Sequence, residues 1–236
     1  MSIYVGTAGW AIPRQSRDAF PAGDSLLQRY AAVFQCTEIN SSFYRPHRRT
    51  TYERWANSVP PAFRFSVKLP KAITHERKLS ACGDLLETFL NDTSALGNTL
   101  GVYLVQLAPS HAYDDAAAGF FAQFRSVSGA NIAFEPRHPS WWEQPAQELL
   151  RTHRITVAGA DPARFEEAAT SLPYGGFAYY RWHGSPRTYY SSYDEHRLAA
   201  FAHAALGHDG EVWCIFDNTA LGGAADNALA FGELVR

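Results

Sequence analysis

Four charged residues stand near the ends of short apolar runs: Glu38 in 37–40, Lys68 in 64–69, Glu135 in 131–135 and Arg181 in 177–183. Two carboxylates set among cations suit proton transfer on an anionic substrate. Lys68, Arg137 and Arg181 can hold a phosphate or carboxylate, the arginines through two parallel bonds. Glu38 or Glu135 then serves as general base or acid, with His75 or His183 as the proton partner. Asn40, Gln106 and Asn218 would orient neutral polar groups, and Asp217 adds a carboxylate to the same substrate-binding set. Trp10, Tyr44, Trp141 and Trp182 are candidates for the pocket wall, whereas Trp55, Trp142 and Trp213 read as packing between helices and sheet. The expected ligand is small, anionic or nucleotide-like, and no metal or cofactor is assigned.

Other readings of the same residues stay open. A lone buried charge costs several kcal/mol unless paired, so the set can be an ion-pair network that fixes strand register and does no chemistry. Glu135, Asp161, His183 and Asp217 form a mixed set of the kind that suits divalent metals, although no two of them have close ligand spacing. Glu38 and Glu135 could form a glycosidase pair, which depends on a separation that sequence does not give. Arg45, His47, Arg48 and Arg49 make a basic cluster able to meet nucleic-acid phosphates, Lys68, Lys71, His75, Arg77 and Lys78 make another, and Arg14 and Arg17 can join them. No Gly-x-Ser-x-Gly element occurs, and Cys36, Cys82 and Cys214 read as core residues.

The elements that must position these groups alternate along the chain. Strand-like runs fall at 3–7, 37–40, 64–69, 100–107, 131–135, 156–159, 177–183 and 211–217, with starts about 20 to 36 residues apart, the rhythm of βα units. Helical patterns fill the gaps. Asp24 is the expected cap of the first, and Thr50/Glu53 and Ser192/Glu195 have capping-box spacing. A short helix is expected at 162–169 and a last one at 224–234. Side chains alternate across a strand. Glu38 therefore shares a face with Asn40, Ser66 with Lys68, Glu135 with Ala133, and Arg181 with Tyr179 and His183. Asp217 and Asn218 have opposite parity, so only one can point inward. Eight such units with no boundary, over 236 residues, predict one α/β domain spanning 1–236, a single (β/α)8 barrel with its site at the carboxyl ends of the strands.

Composition narrows the partners. The net charge of -2, from 21 Lys+Arg and 23 Asp+Glu, demands no polyanion. Three scattered cysteines offer neither a disulfide framework nor a zinc pattern, which favours a reducing compartment. Residues 1–6 show no basic leader, and no run approaches the roughly 20 apolar residues that cross a bilayer. A cytoplasmic protein without a membrane partner is expected.

Several stretches together resemble domain-of-unknown-function family 72, the YecE-like proteins. They include Gly6-Thr7-Ala8-Gly9-Trp10, Thr37-Glu38-Ile39-Asn40-Ser41-Ser42-Phe43-Tyr44-Arg45, and Phe63-Arg64-Phe65-Ser66-Val67-Lys68 with Ile73-Thr74-His75. Others are Ala133-Phe134-Glu135-Pro136-Arg137-His138-Pro139-Ser140-Trp141, Tyr180-Arg181-Trp182-His183-Gly184, Phe216-Asp217-Asn218-Thr219 and Ala225-Asp226-Asn227-Ala228. The resemblance implies a barrel similar to those of xylose isomerase and endonuclease IV. It implies no particular reaction. Where the family pattern usually reads Phe-Asn-Asn at the last strand, this chain has Asp217.

Overall fold

The apolar runs become parallel strands in the computed structural model, which describes residues 2–236. They are β1 Ser2–Ala8, β2 Cys36–Ile39, β3 Arg64–Lys68, β4 Leu100–Gln106, β5 Asn131–Glu135, β6 Thr156–Val157, β7 Gly159–Asp161, β8 Phe177–Trp182 and β9 Glu211–Phe216. Their hydrogen-bonded order is β6-β5-β4-β3-β2-β1-β9-β8-β7. The two end members of that order flank the single residue Ala158, so the chain itself closes the sheet into a barrel.

The expected sixth strand is thus split in two. Its first half pairs with β5 and its second with β8. The reason is local. Val157 exchanges both backbone bonds with Leu172, at 2.9 Å each, instead of with β8. The Ser171 hydroxyl donates to Val157 O (2.9 Å) and accepts from Tyr179 N (3.0 Å), standing in for the missing rung. Ser171 is buried, so each of these polar groups needs such a partner.

Helices cover the outside: α1 Leu26–Ala31, α2 Ser41–Tyr44, α3 Arg49–Ala56, α4 Gly83–Thr93, α5 Ala116–Val127, α6 Gln144–Thr152, α7 Glu195–Leu206 and α8 Gly223–Leu234. Three caps differ from expectation. Ser25, not Asp24, accepts the Gln28 N–H. Asp194, not Ser192, accepts from Arg197 N. No side chain caps α3, which starts before Thr50. The 162–169 segment forms only a 3-10 turn, Glu166–Ala169. Among the described residues no helix is long and apolar enough to cross a membrane.

The barrel lumen is apolar below and charged above. Near the amino ends of the strands, Trp213 stacks between Tyr4 (5.0 Å) and Tyr179 (6.0 Å). Gly101 makes room for it, since a Cβ there would lie 2.5 Å from the indole. Trp213 is therefore packing, as expected, but inside the lumen rather than beneath a helix. Val102, Leu104, Ala133 and Ile215 fill the same layer. Above them the strands end in Glu38, Lys68, Gln106, Glu135 and Arg181, the carboxyl-end face on which barrels build sites.

Candidate functional site

Arg181 is the hub of the upper layer. It projects inward from β8 and is fully buried. Its Nε and Nη2 donate to the two oxygens of Glu38 at 2.9 and 2.7 Å. Its Nη1 donates to Glu135 at 2.5 Å, and Nη2 also reaches Asp217 at 3.0 Å. Tyr179, one turn of the pleat below, donates to Glu38 Oε2 at 2.9 Å and lies 2.7 Å from Ser66 Oγ. Glu135 is saturated as well. Arg137 Nε and Nη2 each stand 2.7 Å from its Oε1, and Gln106 Nε2 lies 3.0 Å from both oxygens. The facing of Gln106 and Glu135 follows from the β4–β5 register, in which they are direct partners. Both glutamates therefore act as buried counter-ions whose oxygens are already occupied, which weakens them as a base or as a glycosidase pair.

Lys68 differs. It ends β3 and is only 8% exposed, yet among the described residues no carboxylate stands within ion-pair distance of its ammonium. Nζ instead sits 4.3 Å over the Phe43 ring. Local sequence sets this up. The Ser42 hydroxyl donates to Lys68 O at 2.6 Å, tying α2 to the end of β3 and bringing the next residue, Phe43, over the lysine. Burial, reinforced by Arg181, pushes the Lys68 pKa down to about 8, against the pull of Glu38, Glu135 and Asp217.

His183 follows β8 and is buried. The chain turns away at once through Gly184, whose φ of 93° suits glycine, and where a Cβ would meet Ser191 O at 2.7 Å. Asp217 Oδ2 holds His183 Nδ1 at 2.9 Å. Nε2 lies 3.4 Å from Glu135 Oε1 and makes no hydrogen bond. Burial would depress the imidazole, but Glu135 and Asp217 more than offset this and raise its pKa above the ordinary 6.5. Burial would likewise raise Glu135 and Asp217. For Glu135, Arg137, Arg181 and His183 hold the carboxyl well below its usual range; for Asp217, Arg181 and His183 lower it.

The signs give a pH prediction. Carboxyls depressed in the folded state stabilise it above their unfolded values of about 4, and this stability is lost as pH falls through the folded values. The imidazole, raised in the folded state, stabilises below about 6.5 and loses that contribution as pH rises through its folded value. Urea midpoints measured against pH should therefore drop steeply below about pH 4. Arg137→Gln should flatten that drop. An Arg137→Gln profile parallel to wild type would contradict the assignment.

The geometry gathers Glu38, Asn40, Gln106, Glu135, Arg137, Arg181, His183 and Asp217 into one chain of contacts, with Lys68 beside it. Asn40 joins through Asp217 Oδ1 at 3.4 Å, and its own Oδ1 is buried without a partner. His75 stands apart from the carboxylates. It packs edge-on against Phe43 at 4.9 Å, with Nδ1 2.9 Å from Thr74 Oγ1. Asn218 is engaged elsewhere: its Nδ2 donates to Ser191 O and Asn227 Oδ1 at 3.0 and 2.8 Å, stapling a loop. Trp141 and Trp182 are not pocket walls. They pack outside the barrel, on Phe134 and on Phe201 and Phe231. Tyr44 is 76% exposed beside Phe43, and Trp10 packs on Trp55.

The set considered for a divalent ion does not fit one. Asp161 pairs with Arg197, and Glu135 and Asp217 are held by arginines. Among the described residues no three His, Cys, Asp or Glu side chains form a metal-holding group. Of the basic cluster, Arg49 is tied to Asn91 O and Ser94 Oγ, while Arg45 and Arg48 are exposed. Arg164 and Thr188, which reach the mouth from loops, escaped the sequence reading because loop residues carry no strand parity.

A family model described as "Protein of unknown function DUF72" matches residues 4–236. The UPF0759 protein YecE of Escherichia coli (strain K12) is 30% identical over 159 residues, 67% of this chain and 57% of that protein. The UPF0759 protein YunF of Bacillus subtilis (strain 168) is 26% identical over 153 residues, 62% of this chain and 54% of that protein. The matches thus span little more than half of these relatives. Among solved structures, a DUF72 family protein (TM1631) from Thermotoga maritima MSB8 superposes with a TM-score of 0.81 at 24% identity, covering 100% of this chain and 99% of the other. SacUVDE superposes with a TM-score of 0.59 at 9% identity, covering 100% and 98%. At these identities the likeness speaks to fold.

Proposed function

We propose that this chain, which belongs to the family described as Protein of unknown function DUF72, binds a small organic anion at the carboxyl-end mouth of its barrel, with Lys68 as counter-ion and His183 as proton donor or acceptor. The ligand class is a carboxylate or phosphate ester. The observation that carries this reading is the unpaired ammonium of Lys68. An uncompensated buried charge costs several kcal/mol, and a cation over an aromatic face returns only ~0.5–2 kcal/mol. Three carboxylates, Glu38, Glu135 and Asp217, are held by Arg181, with Arg137 on Glu135 and His183 on Asp217. Lys68 pairs with none of them, and an incoming anion would supply its missing partner.

The proton chemistry falls to His183 because the glutamate oxygens are occupied. Asp217 fixes its Nδ1, so Nε2 is the atom free to exchange a proton with a ligand. The arginines supply fixed positive ends that cost no reorganisation when charge moves on the ligand.

Lys68 reports on this directly. Its side-chain resonances should titrate at about 8 in the free protein. Saturating inorganic phosphate or acetate should raise that value by about one unit or more, since an adjacent anion favours the charged amine. A titration curve unmoved by either anion would overturn the reading.

A second reading has one observation in its favour. Tyr44, Arg45 and Arg48, within five residues of one another after β2, are all exposed, an aromatic ring for stacking near charges for phosphate. On that reading single-stranded oligonucleotides bind with steep salt dependence, lost in Arg45→Ala/Arg48→Ala.

A further inference from the structure

The sixth stave of the barrel is among the barest. Several strands bring long side chains to the upper lumen, such as Glu38, Lys68, Gln106 and Arg181. The stretch Ala158-Gly159-Ala160 brings two methyl groups. Gly159 faces the other way, against Ala169 O and Ser171 N, where a Cβ would lie 2.8 Å from each. The missing bulk leaves a hollow of about 190 Å³, walled further by Ala163, Ala168 and two prolines. Water's share of liquid volume is about 30 Å³, so there is room for a group of several non-hydrogen atoms.

The polar atoms around the hollow have one sign in excess. His183 lines it with a side chain only 4% exposed, whose Nε2 has no polar neighbour closer than the long 3.4 Å contact to Glu135 Oε1. Arg137, Arg164 and Thr188 line the same space. The one carboxylate there, Glu135, is already bonded by Arg137, Arg181 and Gln106. An unfilled hollow lined by two guanidinium groups and an imidazole, whose one carboxylate is already bonded, suits an oxyanion.

We infer that this hollow is a second subsite for a carboxylate-sized oxyanion, so that the ligand of the mouth is a short molecule with two anionic ends. This rests on the proposed anion site at Lys68, which would hold the other end. A doubly anionic ligand engages both sites at once, and the second contact then forms at high effective concentration.

Calorimetric titration with acetate, malonate, succinate and glutarate at constant ionic strength tests this. The best-fitting dicarboxylate should bind at least about tenfold more tightly than acetate, a difference of about 1.4 kcal/mol. Ala160→Leu fills the hollow and should cut that ratio to about twofold or less, within the effect of one lost contact. Arg164→Ala should also reduce it, and because Arg164 is exposed this variant reads out even if Ala160→Leu fails to fold. If acetate binds but no dicarboxylate binds more tightly, the second subsite is wrong and the Lys68 reading stands. If the ratio persists in Arg164→Ala and in folded Ala160→Leu, the subsite is likewise wrong. If neither acetate nor any dicarboxylate binds, both fall together.

Discussion

Arg181→Met will lower the unfolding free energy by ~3–5 kcal/mol, the usual loss when one partner of a buried ion pair is removed. The guanidinium is fully buried and bonds three carboxylates from β2, β5 and the end of β9. Without it Glu38 keeps only the Tyr179 hydroxyl, and Asp217 keeps His183 and a long contact to Asn40. Methionine has similar bulk, so the loss reports charge and hydrogen bonding rather than a cavity. Arg181→Lys should recover little, because an ammonium cannot reproduce the fork that meets both oxygens of Glu38. Glu38→Gln/Arg181→Met should be less damaging than the sum of the single changes, since neutral glutamine needs no counter-ion. Urea unfolding of wild type, Arg181→Met, Arg181→Lys, Glu38→Gln and the double variant measures this. A loss under about 1 kcal/mol for Arg181→Met would show that the hub contributes no more than a surface pair.

Lys68→Met should do the opposite to stability while removing ligand affinity. Burial holds the lysine near 8 in the folded state against an ordinary 10.5. A group depressed in this way opposes folding fully below about pH 8, and the penalty fades as pH rises toward 10.5. At pH 7 the variant should therefore be more stable than wild type by ~3 kcal/mol, and the gap should narrow above about pH 8 and close near the ordinary lysine value of 10.5. Phosphate or acetate affinity should fall about 10- to 100-fold, the worth of one charge-assisted contact. Stability sacrificed at a mouth residue is expected where function demands a strained site. If Lys68→Met is less stable at pH 7, then Lys68 serves the network as a structural cation and the anion reading loses its support.

Much of this arrangement was legible in the sequence, and the exceptions have physical causes. Strand positions followed from apolar runs because both faces of a covered parallel strand are buried. Parity correctly grouped Tyr179, Arg181 and His183 inward, and the same parity puts Trp182 outward, where it packs on Phe201. It also allowed only one of Asp217 and Asn218 to face the lumen, and that one is Asp217. The sequence did not reveal which charges pair. Glu38, Lys68, Glu135 and Arg181 could have satisfied one another, but a fork-shaped donor outcompetes a point charge for carboxylates, and Lys68 is left out. Nor could it reveal the break at Ala158. That break depends on Leu172 and Ser171, which lie beyond a loop and have no periodic relation to β6.

The substitution of a hydroxyl for a backbone rung has a mechanical side. A hoop opens first at its weakest joint. Here β6 pairs with β5 through Thr156 and Val157, β7 pairs with β8 through three residues, and two hydroxyls, of Ser171 and Thr156, bridge the gap between β6 and β8. The joint adjoins the alanine-walled hollow. Widening of the cylinder is expected first at this joint, while the staves tied to Arg181 stay in step; faster amide hydrogen exchange at Tyr179 than along β1 and β9 would show it.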